Sequence, residues 1–427
     1  MLVSAACALT AQTASHEPEM NKAKATNELK LVVILSRHGV RSPTGKLDQL
    51  NQYSRQPWPV WTVPPGYLTE HGARLMTIFG AYDRQQLAAQ GLLAPSGCAD
   101  APHIRIVADS DQRTRETGKA LAAGLAPGCA IEVTALPEGT SDPLFHPLEA
   151  GGGHADSVLA TAAVSGRIGG NPAGLVEAYR PQLEALESVL TGCGSGVGCL
   201  SQGEPAPKSI FDIPPSIAPG NGGHLVELHT PLSVAATMSE DFLLEYAEGM
   251  DAANVGWGRV NLQKLRELLQ LHTANVDIAQ RTTYIARAQS SNLLAKILRS
   301  MEQEVVAHPV KGSLTRPGDR LLILSGHDTN IAAVAGTLGL SWLIDGRRDD
   351  TPPGGALVFE LWKKPGNGEY SVRTFYTAQT LEQMRNSTPL SLANPPARMA
   401  VFVPGCSQAD GSCNWEAFRS ALEPQTK

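Results

Sequence analysis

Leu31-Val-Val-Ile-Leu-Ser-Arg37-His38-Gly-Val-Arg41-Ser-Pro43-Thr44-Gly45-Lys46 changes character halfway along, and that change decides how the chain is read. Leu31 to Leu35 are apolar and rich in β-branched types, the pattern of a strand buried on both faces. Polarity then jumps: Arg37, His38 and Arg41 fall within five positions, split by Gly39 and followed by Pro43. Gly and Pro stop regular structure, so the basic residues sit on a loop leaving a strand end. Two guanidiniums beside an imidazole repel one another unless an anion is expected there. Arginine offers planar, bidentate hydrogen bonds that suit phosphate oxygens. Cationic neighbours lower the pKa of a His, and a neutral imidazole nitrogen can act as a nucleophile. A plain basic surface loop is the competing reading.

Two later stretches repeat the arrangement. Ile104 to Ala108 reads as a strand that runs into Asp109-Ser-Asp111-Gln-Arg113-Thr, with a helix from Arg113 through Leu125. Leu321 to Leu324 reads as a third strand. It meets Ser325-Gly-His327-Asp328-Thr-Asn330 and then an alanine-rich helix that Asp328 or Thr329 can cap. In open α/β sheets, ligands bind at the carboxyl ends of the strands. Parallel neighbours would therefore bring Arg37, His38 and Arg41, then Arg113, then His327 and Asp328 to one crevice. Taken singly, Arg113 could simply pair with Asp109 or Asp111, and Asp328 could be only a helix cap.

Between these stretches the chain alternates loops and helices. Asn51 to Pro65 holds Pro57, Pro59 and Pro64 with Trp58 and Trp61, an extended loop anchored by aromatics. Thr69 caps a helix that runs to Gln90. From His154 to Ala279 the patterns are mostly helical, at Pro181 to Leu190, Leu232 to Met250 and Asn261 to Leu271, with Gly/Pro-rich connectors between them. Another helix follows around Leu293 to Met301, and Ala356 to Trp362 reads as a further strand. The division expected is an α/β domain in two pieces, 28–153 and 281–427, with an α-helical domain inserted at 154–280. The Gly-rich stretches at Gly151 to His154 and Gly220 to His224 lack the Gly-Lys-Ser/Thr of a P-loop and read as turns. His224 and His229 read as solvated or structural.

Composition narrows the rest. With 35 basic against 41 acidic residues the formal charge is −6, so the surface as a whole is not built for nucleic acid or anionic membrane. No apolar run reaches the twenty residues of a membrane span. Residues 1–15 read as the remnant of a secretory signal with an exit near Ala11 to Ala14, and Ser4-Ala-Ala-Cys7 faintly resembles a lipoprotein cleavage box. Removing Cys7 leaves six cysteines, a number suited to disulfides in an oxidising compartment. Spacing favours Cys193–Cys199 and Cys406–Cys413 as local pairs. Cys98–Cys129 would close a longer loop, worth roughly 3–4 kcal/mol in the chain-entropy model. A metal site is not expected, because no C-x-x-C occurs among these cysteines.

Arg37-His-Gly-Val-Arg41-Ser-Pro43 resembles the R-H-G-x-R-x-P signature of the histidine acid phosphatases, and His327-Asp328-Thr-Asn resembles their second signature. Further segments place the resemblance nearest the periplasmic bacterial phytases of that family: L-T-E-H-G-A-R-L, D-P-L-F-H-P-L, W-G-R, T-P-P-G-G and T-P-L-S-L. It covers the chain from about Leu31 to Phe418 and implies an α/β fold, an open, mostly parallel sheet flanked by helices, with a helical insertion. It implies His38 as the nucleophile, Asp328 as the proton donor, and Arg37, Arg41, Arg113 and His327 as the phosphate-binding set. Thr44, Lys46 and Glu240 match substrate-pocket positions. The branch has Lys directly after Thr, whereas here Gly45 intervenes before Lys46. The expected activity is hydrolysis of a small phosphomonoester, phytate first, by a periplasmic or secreted monomer that needs no cofactor. A glucose-1-phosphatase or broad acid phosphatase is the alternative. A phosphoryl-transfer mutase fits a secreted disulfide protein poorly. A non-catalytic phosphate-binding protein would need neither His38 nor Asp328.

Overall fold

The structure, a computed structural model, describes residues 27–152, 155–192, 207–366 and 368–426. Its centre is a mixed sheet. The strands, in chain order, are β1 (Glu28–Arg37), β2 (Ile104–Ala108), β3 (Val133–Thr134), β4 (Leu321–Gly326), β5 (Ala356–Lys363), β6 (Tyr370–Ala378), β7 (Ala397–Ala400) and β8 (Ser412–Asn414). They lie in the order β7-β6-β5-β1-β4-β2-β3, with β8 also paired to β6. The half from β1 through β4 and β2 to β3 is parallel. From β1 outward through β5, β6 and β7 the pairing is antiparallel.

Period-2 alternation between two covered faces explains why β1 is apolar from Leu31 to Leu35. Leu31, Val33 and Leu35 pack on one face with the helices α7 (Thr283–Val306) and α8 (Asp328–Leu338). Val32 and Ile34 pack on the other with α1 (Glu70–Ala89) and α2 (Gln112–Leu125). Each fully buried side chain of this kind is worth on the order of 1.5–3 kcal/mol. Thr69 caps α1 as expected, its side chain accepting from the Gly72 N–H.

Four helices from the middle of the chain gather over a separate apolar cluster: α3 (Ser157–Arg167), α4 (Arg180–Thr191), α5 (Pro231–Ala247) and α6 (Leu262–Ala279). A hairpin of Ser216–Pro219 and Val226–His229 crosses this layer, and the Gly220 to His224 turn closes it. The Trp58 loop is stapled here. Its indole stacks on Phe242 at 4.8 Å, and the Trp257 indole N–H donates to the Pro57 carbonyl at 2.9 Å.

Disulfides join Cys98 to Cys129 and Cys406 to Cys413. The expected Cys193–Cys199 pair and the 1–15 signal remnant lie outside the described residues. Among the described residues no helix is long and apolar enough to cross a membrane.

Candidate active site

The parallel register decides which residues meet. Arg37 of β1 stands opposite Gly326 of β4, and Ser325 opposite Ala108 of β2. One step further on, all three strands end at the same level. The His38 N–H donates to the Gly326 carbonyl at 2.9 Å, and the Asp109 N–H to the Ser325 carbonyl at 3.0 Å. His38, His327 and Asp109 therefore emerge side by side from three strand ends.

The loop after β1 lies flat on α1, because Gly72 lets the backbones touch. A Cβ at Gly72 would stand 2.1 Å from the Val40 carbonyl oxygen. The Leu-Thr-Glu-His-Gly motif is thus the seat for the His38 loop.

His38 is buried, 2% exposed, and its Nδ1 lies 2.8 Å from its neighbour's carbonyl at Gly39. A carbonyl only accepts, so the proton sits on Nδ1 and Nε2 carries the free lone pair. Burial, then the charges of Arg37, Arg113 and Arg41, holds the ring well below the usual imidazole range. That leaves a neutral, singly oriented imidazole, the form a nucleophile needs.

Three guanidiniums wall the pocket. Arg37 is fully buried and donates to the Thr351 carbonyl at 2.6 Å. It also pairs with Glu240 of α5 and lies 3.5 Å from Asp328. Arg41 reaches the same Glu240 oxygen at 3.4 Å. Arg113 pairs with Asp111 at 2.5 Å, and its other contacts are the Gly66 carbonyl and His327 Nδ1 at 3.5 Å. The surface pairing and the pocket position open to Arg113 in the sequence are therefore both realised.

His327 donates through Nε2 to Asp109 at 2.6 Å, and its ring meets that of His38 edge-on at 5.6 Å. It is His327, not Asp328 or Thr329, that stands at the cap position of α8, where its N–H donates to the Asn330 side chain. Asp328 is the first helical residue, one oxygen accepting from the Thr329 N–H at 2.9 Å and the other facing Arg37. Burial pushes the Asp328 carboxyl up. The charges of Arg37, His272, Arg41 and His327 outweigh it and hold the group below the ordinary carboxylate range.

Glu240 is the sequence-predicted pocket residue that the helical layer delivers. It is likewise held low by Arg41 and Arg37 against the opposing pull of burial. Thr44 is exposed, yet its methyl flanks Gly66 on the side where Arg113 lies. Lys46 is exposed, at the point where the backbone enters a short helical turn, Leu47–Leu50.

Three residues of the site carried no role in the sequence reading. Asp109 is buried beneath His327, and His146 reaches the same carboxylate from the Asp142–Glu149 segment at 3.0 Å. His272 of α6 brings a ring nitrogen within 4.8 Å of oxygens of Glu240 and Asp328. Asp109, Asp111, His146 and His327 cluster as closely. In both groups the carboxylates are already paired with histidine or arginine, and neither is identified as a metal centre.

The sequence model of the histidine phosphatase superfamily (branch 2) matches residues 28–163 and 226–377. The chain belongs to that family. This histidine phosphatase is 38% identical over 407 residues to phytase AppA of Escherichia coli (strain K12), covering 94% of the chain and 93% of the relative. It is 29% identical over 404 residues to a glucose-1-phosphatase of Providencia rettgeri, covering 92% and 91%. Among solved structures it superposes on Hafnia alvei phytase in complex with tartrate, with a TM-score of 0.85 at 35% identity, covering 94% and 98%. The same phytase in complex with myo-inositol hexakis sulphate gives 0.83 at 36% identity, covering 94% and 98%.

Proposed function

We propose that this histidine phosphatase hydrolyses phosphomonoesters through a phosphohistidine on His38, with myo-inositol hexakisphosphate as its principal substrate. One observation carries the mechanism: a buried, neutral imidazole with Nε2 free stands among three arginines, with the Asp328 carboxyl at the start of the helix that follows the neighbouring strand. The oxygens of the phosphoryl group lie against Arg37, Arg41, Arg113 and His327, which offset the charge that develops in transfer. His38 Nε2 attacks phosphorus as the ester P–O bond breaks. The bound phosphoryl anion offsets the guanidinium charge that holds Asp328 low in the free protein, so Asp328 carries a proton in the complex and gives it to the leaving alkoxide, which is too basic to depart alone. Water then attacks the phosphohistidine, Asp328 takes up its proton, and inorganic phosphate leaves.

Glu240 occupies Arg37 and Arg41 in the free protein and must yield those guanidiniums to the incoming anion. The helical layer that carries it reads as a cap over the strand-end crevice. The Cys98–Cys129 and Cys406–Cys413 disulfides support a periplasmic or secreted location.

Phytate is placed first because the phytase relative is more similar than the glucose-1-phosphatase, at 38% against 29% identity. The test is phosphate release from phytate, glucose 1-phosphate and nitrophenyl phosphate, compared as kcat/KM. Better turnover of glucose 1-phosphate than of phytate would overturn the substrate assignment.

A further inference from the structure

Behind His327 the structure holds a buried carboxylate clasped by two imidazoles. Asp109 is 0% exposed. A single oxygen, Oδ2, accepts from His327 Nε2 at 2.6 Å and lies 3.0 Å from His146 Nε2. Its other oxygen is buried with no hydrogen-bond partner among the described residues. The two rings are thus the whole side-chain anchorage of Asp109, and the Asp109 bond in turn aims His327 Nδ1 at the guanidinium wall. The His146 and His327 rings lie 5.0 Å apart, centre to centre.

We infer that His146 is a positioning residue that, through Asp109 and His327, makes the pocket's hold on a phosphoryl-type anion stronger in acid. The inference deepens the phosphatase reading and rests on it. Three observations support it.

First, His146 sits outside the pocket and open to solvent. Its side chain is 27% exposed and borders a cavity of about 110 Å³ shared with Glu149, His224, Thr329 and Asn330. Protons therefore reach it from behind while substrate fills the front. Second, its surroundings favour the charged ring. Burial works against the imidazolium, but the bond to Asp109 and the charges of Asp109, Glu149 and Asp111 prevail and raise it above the ordinary imidazole value. The other ionisable groups facing this cluster are Asp142 on its own segment, His224 across the cavity, His327, and Arg113 beyond it. Third, the segment is fixed in place. The His146 N–H donates to the Asp142 carbonyl at 2.7 Å, and the Asn330 side chain donates to the Phe145 carbonyl at 2.7 Å.

The sign follows from counting charge. With His146 neutral, Asp109 confronts the pocket as an uncompensated anion one residue behind the phosphate wall. With His146 protonated, that charge is cancelled. Affinity for a dianion is therefore full at acid pH and falls as pH rises through the His146 titration.

Inorganic sulfate is the probe, because it stays a dianion across the whole range. Its competitive inhibition constant is measured against nitrophenyl phosphate from about pH 5 to pH 8 in the wild type and in His146→Gln, which keeps a donor near the Nε2 position without the charge. The wild type should weaken by about threefold to tenfold more than the variant over that range. Identical pH slopes would overturn the inference while leaving the phosphatase reading intact. A wild type that hydrolyses no phosphomonoester would overturn both.

A second measurement needs no variant. By linkage, sulfate must raise the titration midpoint of the His146 ring, followed by ¹⁵N-histidine NMR of the wild-type protein. A midpoint that sulfate leaves unmoved would equally overturn the inference.

Discussion

The floor of the pocket and its rim are built on different terms. On the floor, His38, Asp109 and His327 follow directly from three parallel strands, and each is tied by a backbone or side-chain hydrogen bond to its neighbour. Their positions are consequences of sheet register. The rim is assembled from elsewhere: Glu240 from a helix of the other layer, Thr44 and Lys46 from a loop that has already left the sheet. Glu240 meets Arg37 and Arg41 through its carboxylate, which accepts from both guanidiniums. On the phosphatase reading proposed above, the difference teaches that chemistry sits where the fold is least able to drift, and substrate contacts where it can vary.

Substitutions on the floor and the rim should separate accordingly. The largest effect is expected at the floor. His38→Ala should abolish turnover and the labelling of the protein by a radioactive phosphomonoester, and retained labelling would remove His38 as the acceptor. Because burial and the arginines lower the His38 pKa, the wild type should stay active well below about pH 6.5, the ordinary imidazole value. Loss of activity follows only when acid finally protonates the ring.

Asp328→Asn comes next. It should lower kcat by about 10²–10⁴ for phytate, where an alkoxide must leave. For a nitrophenyl ester, whose leaving group needs no proton, the loss should be much smaller. The asparagine also removes the alkaline limb of the kcat profile, since in the substrate complex that limb reports the proton Asp328 must hold. Equal losses on both esters would leave Asp328 only as the first residue of α8.

At the rim the sign reverses. Glu240→Gln removes the carboxylate that competes for Arg37 and Arg41. Inorganic phosphate should then inhibit more strongly, by about threefold to tenfold. Weaker inhibition would mean that Glu240 orients the arginines rather than competing for them. The smallest effect is expected at Lys46. The exposed Lys46→Ala should change KM for phytate by less than about twofold, the scale of a solvated charge. A tenfold rise in KM would bring Lys46 into the pocket and blur the division between floor and rim.

His38 and His327 were legible in the sequence because their code is local. An apolar run ending in Arg-His-Gly, or in Ser-Gly-His-Asp, states both the strand and the residues at its end. The helix from Thr69 was equally plain, since a capping Thr and apolar spacing define it. The sequence pattern predicts α6 only as far as Leu271, but it runs to Ala279, because its final turns are held by packing rather than by their own pattern. Tyr370–Ala378 was passed over, although it joins three partner strands of the sheet. His146 and His272 could not be singled out. Each is one polar residue in an apolar setting, and their meaning lies in Asp109 and Glu240, at separations of 37 and 32 positions. Asp109 stood in view beside Arg113, but nothing local distinguishes a carboxylate that pairs with arginine from one that props a histidine.

The Cys98–Cys129 bridge spans 31 positions, and β2, Asp109, Arg113 and all of α2 lie inside that loop. A protease that cut once between these cysteines would leave a two-chain molecule still joined by sulfur. Arg113 and its helix would remain attached on one side of the cut or the other. In denaturant, where strand pairing no longer holds the pieces, one covalent bond would keep them together until a reductant opened it.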